Sequence, residues 1–255
     1  MKSGLSESNT LKIAIISDIH GNLEALNSVI NNFKIHGNMD HIVCLGDIVG
    51  YYANPVECID IIKKRCDIII QGNHDSAITA INFEKRIKWF NDTAASSLRW
   101  TRKQLLQEDN KDQYQFLRKL RGKKSLSIKK NEFLFVHGTP DKKWEYFLFP
   151  YWNNEPLDEQ KVKLDKWLDQ WNLVAMGHTH WAFQYEKNNR YVINPGSVGQ
   201  PRDENPNASY CIVEVSETRL KVENFRVKYE IEKTCEALKL ANLGESLCSR
   251  LFLGQ

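Results

Sequence analysis

The stretch LKIAIISDIHGNLEAL, residues 11–26, decides the fold. Leu11 to Ser17 is a continuous apolar run, the pattern of a strand buried on both faces. Leu23, Leu26, Ile30 and Phe33 then recur at helical spacing, so the chain passes from strand to helix through Asp18-Ile19-His20-Gly21. The same device repeats downstream. Ile42 to Leu45 is a second strand, ending at Gly46-Asp47, and Asn54-Pro55 supplies an N-cap and N1 pair for a helix bearing Val56, Ile59 and Ile62. Cys66 to Ile70 is a third strand, closing at Gly72-Asn73-His74-Asp75. Repeated units of this kind predict an α/β fold with a parallel sheet and helices outside it.

Residues 76–130 break the rhythm. They are charged, with Ala94, Leu98, Leu105 and Leu106 partly periodic, and are expected to form a helical elaboration without a core of its own. Strands return from Phe133 to Val136 and, after a helix bearing Leu164, Trp167 and Leu168, from Leu173 to Met176. Ala182 to Glu186 and Tyr191 to Ile193 flank a Lys187-Asn188-Asn189-Arg190 turn as a hairpin. Tyr210 to Val215 and Leu220 to Val227 form a further antiparallel pair, and a helix runs from Ile231 to Leu243. The 255 residues are thus expected to make one domain, 10–230, followed by a C-terminal helix and tail, 231–255.

Composition excludes more than it selects. Charged residues make up 26% and apolar residues 42%, which is ordinary for a globular domain and argues against disorder. A net charge of +3 is too small to imply a nucleic-acid or membrane partner. MKSGLSESNT, the first ten residues, lacks the apolar segment of a signal peptide, and no run approaches the ~20 residues of a membrane span. The six cysteines contain no C-x-x-C pair, so reduced thiols in the cytoplasm are expected rather than a disulfide framework. Cys44, in an apolar strand, reads as core packing.

The chemistry lies at the strand ends. Asp18-x-His20, Gly46-Asp47, Gly72-Asn73-His74-Asp75, His137-Gly138 and Gly177-His178-x-His180 each follow an expected strand, and ligands of open α/β sheets bind beyond the carboxyl ends of the strands. Five of the seven histidines lie in these motifs. His178 and His180, two apart, would face one side of an extended segment, a geometry that favours a shared ion. Imidazoles, carboxylates and an amide oxygen suit manganese, iron, nickel or zinc rather than calcium or an all-sulfur site. The donors outnumber what one tetrahedral ion can use. Two ions about 3.5–4 Å apart, sharing a carboxylate, would account for the surplus and stabilise both oxygens of an in-line displacement.

In this order the motifs resemble the calcineurin-like metallophosphoesterase superfamily, whose pattern is D-x-H, G-D, G-N-H-D/E, H and G-H-x-H. The resemblance spans residues 13 to 202 and is nearest to a small bacterial and archaeal phosphodiesterase-like branch. It is carried by SDIHGNLEAL (17–26), GDIVGYYANP (46–55), GNHD (72–75), VHGTP (136–140), GHTH (177–180) and NPGSVGQPRD (194–203), with FNDTAASSLRW (90–100) similar to a helical segment of that branch. The resemblance implies a four-layer αββα sandwich. It implies one metal on Asp18, His20, Asp47 and His180, and a second on Asp47, Asn73, His137 and His178, with manganese the expected activator. A hydroxide bridging the ions would attack phosphorus, and His74 would stabilise charge or protonate the leaving oxygen.

Two departures stand out. Many relatives carry a second aspartate in G-D-x-x-D that orients the catalytic histidine; here the position is Gly50, leaving Asp75 as a candidate orienter. The arginine that follows that aspartate in protein phosphatases is absent too. Among substrate contacts, Tyr51 borders the site or packs within its loop, Asn91 faces the cleft or caps a helix, and Arg202 holds a phosphate oxygen or lies exposed. Trp144, Trp152, Trp167 and Trp171 serve base stacking or packing. The expected activity is hydrolysis of a phosphodiester or related phosphate ester. The alternatives are a dinucleoside polyphosphate or nucleotide phosphatase at the same centre, and a catalytically silent scaffold like the eukaryotic retromer subunit of this fold, which lacks the G-N-H histidine. The expected partner is a small phosphate ester or nucleotide, and a homo-oligomer stays open.

Overall fold

The computed structural model describes residues 10–147 and 156–255; the opening polar segment and Trp152 lie outside them. Strands β1 (Leu11–Ile16), β2 (His41–Cys44) and β3 (Ile68–Ile69) are parallel neighbours, linked by helices α1 (Leu23–Asn32) and α2 (Pro55–Arg65). β3 is followed by α3 (Asn73–Ile78), α4 (Phe83–Ile87), α5 (Asp92–Leu105) and α6 (Lys111–Lys119). Then come β4 (Lys123–Ile128), β5 (Asn131–Val136), α7 (Asp158–Gln170), β6 (Leu173–Ala175) and the hairpin β7 (Ala182–Lys187) and β8 (Arg190–Pro195). β9 (Ala208–Val215), β10 (Leu220–Val227), α8 (Ile231–Leu240) and α9 (Ser246–Leu253) complete the chain.

Two five-stranded sheets result, ordered β10-β9-β1-β2-β3 and β4-β5-β6-β8-β7. Period-two alternation decides the layering. Ile13 and Ile15 of β1 turn inward with Val43, meeting Phe133, Phe135, Leu173 and Ile193 of the second sheet. Ala14 and Ile16 turn outward onto Leu26, Val29, Ile59, Ile62 and Leu98 of the helices. On the far side Leu134, Val174 and Val192 bury Leu164, Trp167 and Leu168 of α7. Helix, sheet, sheet, helix: the αββα sandwich expected from the resemblance is the architecture observed.

Three expectations need correction. Residues 123–128, assigned to the helical elaboration, are strand β4 at the edge of the second sheet. Their sequence KKSLSI is mostly exposed, so no apolar run announces the strand; its pairing with β5 does. The last helix ends at Leu240, and a second, α9, follows. Cys235 and Cys248 form a disulfide between these two helices, with Cα atoms 5.2 Å apart, against the expectation of reduced thiols. No short-spaced motif marks the pair; the turn between α8 and α9 creates the proximity. Cys44 is buried and free, as are Cys58 and Cys211, and Cys66 is free and partly buried. No helix among the described residues is long and apolar enough to cross a membrane.

The C-terminal pair of helices reaches the site loops. Leu238, Leu243, Leu247 and Leu251 pack with Tyr51, Tyr52 and Ala94, and the Gly254 carbonyl accepts the Glu204 N–H at 3.0 Å.

Candidate metal centre

The loops after β1 and β2 are laced together before any side chain is considered. The N–H groups of Asp18, Ile19, His20 and Gly21 donate to the carbonyls of Gly46, Asp47, Asp47 and Ile48 at 2.8–3.0 Å. Asp75 ties the third loop in: its carboxylate accepts N–H groups of Asp47 (2.9 Å), Ile48 (3.0 Å), Val49 (3.3 Å) and Gly72 (3.0 Å). A Cβ at Gly72 would overlap the Asp47 carboxylate, so only glycine lets these two loops touch. Asp18, His20, Asp47, His178 and His180 all have left-handed backbones, with φ between 51° and 73°. For non-glycine residues each such conformation costs ~1–3 kcal/mol and persists only where tertiary contacts dictate it.

These bent loops aim their side chains at one buried point. His20 Nε2 and His180 Nε2 lie 3.0 Å apart, with Asp18 Oδ1 3.4 Å from His180 Nε2 and 3.9 Å from His20 Nε2. Beside them Asp47 Oδ2 is 3.3 Å from His137 Nε2, 3.8 Å from His20 Nε2 and 4.0 Å from His74 Nε2. Asn73 Oδ1 is 3.0 Å from His137 Nε2. Donor atoms of Asp18, His20 and His180 form one group within 4.8 Å, and those of Asp47, His137 and His178 another. All seven residues named as ligands from the sequence are therefore brought together. The expectation that His178 and His180 share an ion through an extended segment is corrected: their left-handed backbones send them to different groups.

The donor set fits divalent cations. Asp18 Oδ1 is fully buried and has no hydrogen-bond partner among the described residues, while Oδ2 accepts the His178 N–H at 3.0 Å. The far ring nitrogens are occupied: Nδ1 of His20, His137 and His180 donates to the carbonyls of Val49 (3.2 Å), Leu45 (2.8 Å) and Gln200 (2.6 Å). That tautomer leaves each Nε2 lone pair facing the centre, as metal-ligating histidines require.

The titration of the cluster agrees. Burial drives His20 and His180 well below the ordinary imidazole value, His178 to about 3 and His74 to about 4. Burial raises Asp18 to about 6. Asp47 is held low despite burial by His137 and His74. Burial opposes charge on His137, but Asp47 and Asp18 outweigh it and push the ring up to about 9. Four of the imidazoles are thus neutral, as metal binding demands, whereas His137 holds a proton that a cation would have to displace.

His74 lies against this cluster, its Nδ1 buried without a partner among the described residues. The proposed orienter is not there: both Asp75 oxygens accept backbone N–H groups, so Asp75 shapes the loops instead. A Cβ at Gly50 (φ 97°) would overlap His74 Nδ1. Tyr51, Phe90 and His20 pack around the ring at centroid distances of 4.7–4.9 Å.

A cleft of about 330 Å³ opens beside His74, lined by Tyr51, Asn91, Tyr146 and Arg202 among others. Tyr51 borders it from its loop. Asn91 does two things, lining the cleft and capping α5 by accepting the Ala94 N–H at 2.9 Å. Arg202 is half-buried; one terminal nitrogen donates to Gln200 Oε1 (3.0 Å) and the Tyr51 hydroxyl (3.3 Å), and its buried Nε has no partner among the described residues. Trp144 lines this cleft, whereas Trp167 is core, donating to Asp141 at 2.9 Å, and Trp171 packs beside it. Sequence reading missed Trp89, Phe90 and Tyr146, whose signal is only their adjacency to Asn91 and Trp144.

Residues 11–218 match the model of the calcineurin-like phosphoesterase superfamily domain. The chain belongs to that family. Over 260 residues it is 38% identical to an uncharacterized protein of Methanocaldococcus jannaschii, covering 95% of this chain and 98% of that one. The crystal structure of a metallophosphoesterase from Sphaerobacter thermophilus is 31% identical, with a TM-score of 0.77, and the match covers 97% of this chain and all of that one. A hypothetical protein from Pyrococcus horikoshii shares the fold, with a TM-score of 0.81 at 23% identity over 96% and 99% of the two chains. The family's general chemistry is metal-dependent hydrolysis of phosphate esters, and the buried cluster supplies candidate ligands for a metal.

Proposed function

We propose that this protein is a phosphodiesterase dependent on two divalent metals, manganese foremost. Asp18, His20, Asp47 and His180 would hold one ion, and Asp47, Asn73, His137 and His178 the other. The observation that carries this reading is the position of Asp47: its Oδ2 is within 4 Å of both His20 Nε2 and His137 Nε2, between the two groups of donors. Bound there, the cations would supply Lewis acidity and activate water as a nucleophile near neutral pH.

The chain's own residues would do the rest. Arg202, which lines the cleft and makes no ion pair among the described residues, would orient a non-bridging phosphate oxygen. His74 Nε2, 4.0 Å from Asp47 Oδ2, faces the same point and would stabilise the phosphate charge or hand a proton to the leaving oxygen. Leu45, Val49 and Gln200 carbonyls would hold three imidazoles in register. His74, retained in the G-N-H motif, favours catalysis over a silent scaffold.

The test is hydrolysis of bis(p-nitrophenyl) phosphate by manganese-loaded protein. His74→Ala and Asp47→Asn are each expected to lower turnover by about 100-fold or more. Full activity in both variants would remove the mechanism, and no hydrolysis by wild type would remove the reading altogether.

A further inference from the structure

We infer that the cleft beside His74 is a nucleobase subsite, so that the ester hydrolysed carries one nucleoside unit. This rests on the proposed phosphoesterase reading and adds to it the organic part of the substrate. The cleft is built from rings and cations. Trp89 stands on its wall 86% exposed, which leaves the indole face open to a ligand. Phe90 continues the wall inward until its ring meets His74, 4.9 Å between centroids, and Tyr146 meets His178 at 4.1 Å. The aromatic surface is thus continuous with the donors that would hold the metals.

Its cations lack carboxylate partners. The Arg86 guanidinium lies 4.2 Å over the Trp144 ring and makes no ion pair among the described residues; nor does Arg202. Trp144 lines the cleft beneath the Arg86 guanidinium. Indole, phenyl and guanidinium planes are the surfaces on which bases stack, whatever the base. A lipid chain would gain nothing from the two arginines, and a sugar would find no carboxylate or amide beyond Asn91 and Asn73. At about 330 Å³ the cleft is at the small end for ligand sites, room for one nucleotide and not two.

The test compares AMP with ribose 5-phosphate, which differ only in the base, by calorimetric titration of the manganese-loaded protein. AMP is expected to bind about tenfold or more tightly, and Trp89→Ala, at an exposed position that leaves the core untouched, to shrink that ratio about fivefold. Equal affinities, or a ratio unchanged in Trp89→Ala, would overturn the subsite. Bis(p-nitrophenyl) phosphate hydrolysis separates the two ideas: turnover with equal affinities overturns the subsite alone. A base-dependent affinity with no turnover of any ester overturns the hydrolytic reading alone.

Discussion

Gly50 shows how a single residue can shape the neighbourhood of the candidate catalytic histidine. Its left-handed backbone (φ 97°) and the overlap of any Cβ with His74 Nδ1 mean that the missing aspartate is not a vacancy that could be refilled. His74 is positioned by packing, between Tyr51, Phe90 and His20, rather than by a hydrogen bond to a carboxylate. Gly50→Asp, which restores the common family pattern, is therefore expected to lower turnover by about tenfold or more and to cost ~1–3 kcal/mol of stability. Steady-state kinetics and urea unfolding check this, and a variant as active as wild type would contradict it. At this scale the site was well marked in the sequence. Five motifs could be read because they stand after apolar strands, the family resemblance singled out seven donors within them, and the structure brings those seven together. What orients His74 was not marked, because ring packing against Phe90 depends on α4 and α5 turning back over the loop, and no local spacing records that.

Among the elements, strands with an apolar face were legible and those without were not. β1 and β5 announce themselves by buried runs; β4 shows only Leu126 and Ile128 among lysines and serines, and exists because β5 offers it an edge. The C-terminal helices are a similar case. α9 carries the apolar residues Leu247 and Leu251, but its place against Tyr52 and Ala94 is a tertiary choice. Their disulfide closes a loop with a sequence separation of 13, for which chain entropy predicts a stabilisation of ~3 kcal/mol. Because these helices brace the loops of Tyr51 and Glu204, replacing both Cys235 and Cys248 by alanine should lower the urea midpoint by about that stability and raise KM for the ester. An unchanged midpoint under non-reducing conditions would show that the bond contributes nothing.

For the whole molecule, two sheets facing one another bring strand ends from both halves of the chain to one rim. The first sheet delivers Asp18, His20, Asp47 and Asn73; the second delivers His137, His178 and His180. Neither half holds a complete set, so the centre exists only when the sandwich is closed. Protons compete for it. Asp18 at about 6 and His137 at about 9 must both be deprotonated to bind cations, so metal affinity should rise with pH from about 6 toward about 9 and weaken below. The most direct test is elemental analysis of manganese retained per chain after equilibration at about pH 8, for wild type and for Asp47→Asn. A shared carboxylate between two ions predicts about two manganese per wild-type chain and fewer than about one in the variant. A wild type that retains one or none, or a variant that keeps both, would contradict the dinuclear centre.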